Sequence, residues 1–176
     1  MDRPDDGAPV EEIGFLLLPQ FPIYATILAL EALRIANQCA GRRLFRTPLF
    51  SVDGKPVRAT NGMELKPDRG IGEVPFCPTV IVVAGNEPLP HLGRAVLGWL
   101  RRLDRHGAVL GAIDTGAFAL ARAGLLDGHK VAVHWEAIPL FREHFPEAEP
   151  VEQLWTFERN RLGCAGGSPR STSCSN

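Results

Sequence analysis

The sequence predicts one α/β domain, a doubly wound and mostly parallel sheet flanked by helices, and three observations carry that prediction. Short apolar runs rich in β-branched residues, at 13–18, 79–84 and 109–113, read as strands buried on both faces. Stretches with helical character, at 23–39, 92–103 and 116–123, lie between them, so strand and helix alternate along the chain. The 176 residues, 45% hydrophobic and 22% charged, suffice for one sizeable core but not for two.

Residues 1–12 are polar and acid-rich, unlike a signal peptide or a membrane anchor, and are expected to be a disordered tail ahead of a domain spanning 13–167. The strand at 13–18 leads into an apolar helix at 23–39. The helix at 92–103 places Leu92, Val96, Trp99, Leu100 and Leu103 on one face, the stripe a core-facing helix needs. After the strand at 109–113 and the helix at 116–123, further strands are expected at 130–134 and 154–157, with a short helix containing Pro139 at 136–145. No apolar run approaches the roughly 20 residues of a membrane helix, so no membrane partner is expected.

A formal net charge of -1 gives the domain no electrostatic hold on a polyanion. Two basic runs, Arg42 with Arg43 and Arg101 to His106, fall where helices are expected to end and complement the helix dipole. The four cysteines, Cys39, Cys77, Cys164 and Cys174, are scattered without metal-site spacing. Free thiols in a reducing cytoplasm, with no metal and no cofactor, are the expectation.

In open parallel sheets ligands sit at the carboxyl ends of the strands, so the strand exits are the places to search. They are Pro19 and Gln20, then Gly85 and Asn86, then Asp114, Thr115 and Gly116. The run Ala112-Ile113-Asp114-Thr115-Gly116 has the spacing of a nucleophile elbow, with small residues two before and two after a polar one. Its central Asp114 is open to three readings: a helix cap, an effector contact, or a carboxylate nucleophile. Glu31 interrupts an apolar helix, and its charge calls either for a ligand in a cleft or for an ion pair with Arg34 three residues on. His134 and Trp135 leave the next strand. A base and a face for a cationic ligand are the functional readings, a structural histidine and a core tryptophan the plain ones. Thr115 is a weak substitute for a nucleophile.

The chain resembles the ThiJ/PfpI (class I glutamine amidotransferase-like) sensor domain of AraC-type transcription regulators over nearly its whole length. The resemblance rests on Phe15-Leu16-Leu17-Leu18-Pro19, on the run from Glu31 to Asn37, on Ser51-Val52-Asp53-Gly54 with Asn61-Gly62, and above all on Gly111 to Trp135. It implies a flavodoxin-like sandwich. Enzymes of that superfamily carry cysteine where this chain has Asp114, beside a glutamate that Glu31 resembles. The loss of the cysteine argues against protease, glyoxalase, amidase or hydratase activity, so no catalytic residue is expected.

What the resemblance implies instead is a pocket reused for sensing a small-molecule effector, with Asp114, Thr115, Glu31, His134, Trp135, Gly85 and Asn86 as its contacts. The pieces Gly41-Arg42-Arg43 and Asp53-Gly54-Lys55-Pro56-Val57 resemble regulators of betaine, carnitine or basic amino acids. It also implies a homodimer, and DNA binding only through a helix-turn-helix domain absent from this chain. The alternatives are a superfamily enzyme using Asp114 or Thr115 with His134, and a truncated remnant that only dimerises.

Residues 168–176, Ser-Pro-Arg-Ser-Thr-Ser-Cys-Ser-Asn, depart from the resemblance. Codons for them can be chosen whose shifted frame reads Ala-Ala-Leu-Asp-Leu-Met-Leu-Gln, an apolar helix that would complete the sandwich. A frameshift near Ser168 is therefore expected, and with it an uncovered apolar sheet surface.

Overall fold

The computed structural model describes residues 9–166. The expected tail at 1–12 lies mostly outside that range, and the segment 168–176 wholly so. In chain order the elements are β1 (Glu11–Leu17), α1 (Ile23–Ala40), β2 (Phe45–Arg46), β3 (Leu49–Ser51), β4 (Val57–Arg58), β5 (Glu64–Leu65), β6 (Arg69–Gly70) and β7 (Thr79–Ala84). They continue with α2 (Arg94–Arg105), β8 (Val109–Asp114), α3 (Ala117–Arg122), β9 (Lys130–Ala132), α4 (Ile138–His144), β10 (Glu149–Val151), β11 (Trp155–Glu158) and β12 (Arg161–Cys164).

The main sheet runs β11-β12-β8-β7-β1-β3-β6, with β2 pairing the start of β1. Every pairing in it is parallel except β11 with β12. The strongest β-formers, Val80 to Val83 in β7, take the centre, where both faces are covered. Alternation then sorts the side chains. Leu16, Val80, Val82, Leu110 and Ala112 face a core shared with α2, α3 and α4, while Phe15, Leu17, Val83 and Ile113 face a smaller core shared with α1.

The stripe is buried as its spacing predicts, but the helix expected at 92–103 starts at Arg94: Val96, Trp99, Leu100 and Leu103 lie on α2, while Leu92 is buried ahead of it at the end of a 3₁₀ turn. Helix α1 stops at Gly41, whose φ of 65° is the left-handed cap that glycine supplies without strain. The basic runs do follow helix ends: Arg102 and Arg105 lie in the last turn of α2, and Arg42 and Arg43 follow the cap of α1.

Several expectations are corrected. The strand expected at 130–134 is shorter and stands outside the main sheet, pairing in parallel with β10. The strand expected at 154–157 is an antiparallel edge, and the strand beside β8 is β12, which its Gly-Cys-Ala-Gly continuation hid. The helix expected at 136–145 opens as a 3₁₀ turn, Trp135–Ala137, before Pro139 sits in the first turn of α4. The short strands β2 to β6 are too brief to show a period.

The ladder rows Val83–Ile113–Cys164–Trp155 and Ile81–Gly111–Leu162–Phe157 run across the α1 face of the sheet. Beyond β8 that face is open: Trp155 is 69% and Phe157 58% exposed. Tyr24, Ile27, Leu28 and Ile35 of α1 are exposed as well, so uncovered apolar surface is present as expected. Behind the same strands Arg161, only 6% exposed, donates to the Asp104 carboxylate at 2.5 Å and to the Leu125 carbonyl at 2.8 Å, tying β12 to α2.

Candidate functional site

Three strand exits converge at the carboxyl end of the sheet. Ala84 is paired with Asp114 across β7 and β8, and the Thr115 amide donates to the Ala84 carbonyl at 3.2 Å. Glycine is required at two of the joints. A Cβ on Gly85 would stand 2.2 Å from the Gln20 carbonyl oxygen, and one on Gly116 would stand 2.1 Å from that of Val82. The buried Thr115 hydroxyl donates to the Gly85 carbonyl at 2.6 Å and locks two of the exits together.

Asp114 occupies this junction with φ 60°, a left-handed conformation costly for a residue with a side chain. Gln20, at the neighbouring exit, has φ 65° and Glu87 has φ 49°. Strain thus concentrates at the edge where ligands bind in such sheets. The spacing of the elbow is matched by its geometry. The capping reading is corrected: Gly116, not Asp114, precedes the first helical residue, and no side chain caps α3.

Burial is the main cause that raises the Asp114 carboxyl to about 6. The nearby imidazole of His134 and the Thr115 amide pull it down, while the Glu136 carboxylate pushes it further up. His134 is largely buried, its Nδ1 standing 4.0 Å from a Glu136 carboxylate oxygen. The Trp135 ring lies beside it, 5.8 Å between centroids and tilted by 31°, with 38% of the residue exposed. The result is a pair of carboxylates, a histidine and a half-open indole around one strained elbow. Among the described residues no group of three His, Cys, Asp or Glu side chains could hold a metal.

Of the residues singled out from sequence, Asp114, Thr115, Gly85 and His134 are brought together, with Trp135 beside His134. Asn86 follows Gly85 into an exposed bend. Glu31 is elsewhere. It lies eight residues into α1, about 12 Å along the axis from its start. Arg34 Nε holds both its carboxylate oxygens, at 2.9 and 2.8 Å, in an exposed ion pair. The helix face around it is open to solvent, so its charge needs no ligand.

Two residues escaped the sequence reading. Glu136, two positions after His134, was hidden in an expected helix. Gly166 (φ 71°) presses on the elbow: a Cβ there would stand 2.6 Å from the Asp114 Cβ.

A mostly parallel sandwich with a strained strand-to-helix elbow centred on Asp114 defines the class. The chain belongs to the DJ-1/PfpI family, which it matches over residues 13–149. It is 42% identical over 158 residues to the HTH-type transcriptional regulator CdhR of Pseudomonas aeruginosa, covering 90% of this chain and 47% of that one. It is 40% identical over 158 residues to the regulator GbdR of the same species, covering 43% of it. The chain therefore spans about half the length of the curated relatives it matches. Among solved structures, an AraC family transcriptional regulator from Pseudomonas putida superposes with a TM-score of 0.73 at 28% identity, over 90% of this chain and 84% of that one. A more distant likeness is to an isonitrile hydratase of Pseudomonas putida, 26% identical over 125 residues, 70% of this chain and 52% of that one.

Proposed function

We propose that this domain is the effector-sensing part of an AraC-type transcription regulator, and that Asp114 anchors a cationic small molecule instead of performing catalysis. The observation that carries this is geometric: a partly buried carboxylate held at φ 60° on the elbow, next to the Thr115–Gly85 link that joins two strand exits, with His134 and Trp135 beside it. Burial makes the lone Asp114 charge costly, and a cation seated against it offsets that cost, with the Glu136 carboxylate nearby adding to the negative field. The half-exposed Trp135 adds an aromatic face of the kind that receives quaternary ammonium groups. Betaine, carnitine or a basic amino acid fits this chemistry.

DNA recognition is assigned to a helix-turn-helix domain of the kind the named relatives possess, and a homodimer is the proposed assembly. The reading as an enzyme is weaker, because the Thr115 hydroxyl is already committed to the Gly85 carbonyl and is 8% exposed.

A thermal-shift screen against glycine betaine, carnitine, choline, arginine and their neutral isosteres tests the proposal. A cationic compound should raise the melting temperature and its isostere should not. Asp114→Asn, which keeps a residue tolerant of positive φ, should abolish the rise. A rise that survives this substitution, or turnover of an amide, aldehyde or isonitrile that depends on Asp114, would overturn it.

A further inference from the structure

At the other end of α1 the chain folds into a second concave site. Its walls are Arg34 and Asn37 of α1, Arg43 after the helix, Phe45 and Arg46 of β2, and Asp68 with Arg69 at β6, around a cavity of about 540 Å³. Four arginines line this space against a single carboxylate. That carboxylate, Asp68, spends one oxygen on the Leu49 amide at 2.7 Å.

The other neighbouring charges are only partly matched. Arg34 gives its Nε to Glu31 and one Nη to Gln38, and Arg46 lies 3.8 Å from Glu12. The side chains of Arg43 and Arg69 make no hydrogen bond or ion pair among the described residues. Each guanidinium offers five N–H donors in a planar fork. Most of these donors therefore face the cavity or solvent.

The α1 C-terminus would by itself oppose an anion here, since its last carbonyls carry negative partial charge. That opposition is blunted. Gly41 N–H returns to the Gln38 carbonyl, and the Asn37 amide oxygen is consumed by the Leu44 and Phe45 amides at 2.7 and 2.8 Å. The same hydrogen bonds fix the loop that carries Arg43 and Arg46. The backbone positions from which Arg43 and Arg46 extend are thus fixed, in a protein whose net charge is -1.

We propose that this cavity binds a small organic phosphate through Arg43 and Arg69, with Arg34 and Arg46 completing the ring. Guanidinium forks match phosphate oxygens two at a time, a geometry that lysine or a lone surface charge does not reproduce. The cavity is far larger than phosphate alone, within the range of ordinary metabolite sites, so the phosphate is the anchoring group of a larger molecule. The site is independent of Asp114 and does not depend on the effector assigned there.

Inorganic phosphate is the probe, measured on the full chain against chloride at equal ionic strength. Phosphate tenfold above its dissociation constant should raise the melting temperature by about 3 to 5 °C. The rise should fall below about 1 °C in Arg43→Gln combined with Arg69→Gln, and should persist in Asp114→Asn. Broadening of the phosphorus-31 resonance by the native protein, absent with Arg43→Gln alone, gives the same answer if the double variant folds poorly. No rise beyond the chloride control together with an unbroadened resonance, or an equal response in the arginine variants, would overturn the proposal.

Discussion

The two faces of the main sheet are built from the same strands yet end in different states. On one face Leu100 and Leu103 of α2, Phe118 and Leu120 of α3 and Phe141 of α4 are all fully buried over β7, β8 and β1. On the other, α1 covers β1 and β7 and stops short of β12 and β11, leaving Trp155 and Phe157 in solvent. Stability is concentrated on the closed face. The open face is a surface that burial would favour closing, and the strained elbow at Asp114 lies at the end of β8, where cover gives way to exposure.

Substitutions of like chemistry on the two faces should break that symmetry most clearly. Phe118 packs edge-on against Phe141 at 5.1 Å and Phe145 at 5.8 Å, so Phe118→Ala should cost about 3 to 5 kcal/mol in urea unfolding. Phe157→Ala, on the open face, should cost less than about 1 kcal/mol. Equal losses would refute the contrast.

The next effect comes from the elbow. With its carboxyl raised to about 6 from an ordinary 3.8, Asp114 holds its proton more tightly in the folded chain. The folded state therefore binds the extra proton between those values, and the contribution of Asp114 to stability is greatest below about pH 4 and declines until about pH 6, where its full cost is reached. Asp114→Asn should remove that decline and stabilise the protein at neutral pH by up to about 3 kcal/mol. Unfolding midpoints across this window would check it, and an unchanged slope would count against the buried charge.

Smallest in stability but plain in behaviour is a polar replacement of the open row. Trp155→Ser with Phe157→Thr should leave the melting temperature within about 2 °C while reducing dye binding and aggregation. A large drop in melting temperature would mean that these rings are packed and not open.

The central strands and the buried stripe of α2 were legible because period and composition agree there: Val80 to Val83 are β-branched and isolated by turns, and Leu92 to Leu103 repeat at helical spacing. β12 was not, since Arg-Leu-Gly-Cys has neither a run nor an alternation, and its place beside β8 is set by non-local contacts, the ladder with β8 and the Arg161 link to Asp104 among them. At the site, Asp114, Thr115 and Gly116 could be read from spacing because sharp turns demand small neighbours. For Glu31 the sequence left a ligand contact and an ion pair with Arg34 open, and the ion pair forms because α1 exposes the face carrying Ile27, Leu28 and Ile35. Glu136 and Gly166 reach the elbow only through tertiary packing, which no local pattern records.

The most direct measurement is calorimetric titration of the native domain and Asp114→Asn with glycine betaine, at about pH 7.5 and about pH 5. A cation held by the Asp114 carboxylate must displace the proton bound at the lower pH. Affinity should therefore be about tenfold weaker at pH 5, with proton release, and should be both weak and independent of pH in Asp114→Asn. Affinity that is equal at the two pH values and unchanged by the substitution would contradict the assignment of Asp114 as the anchor.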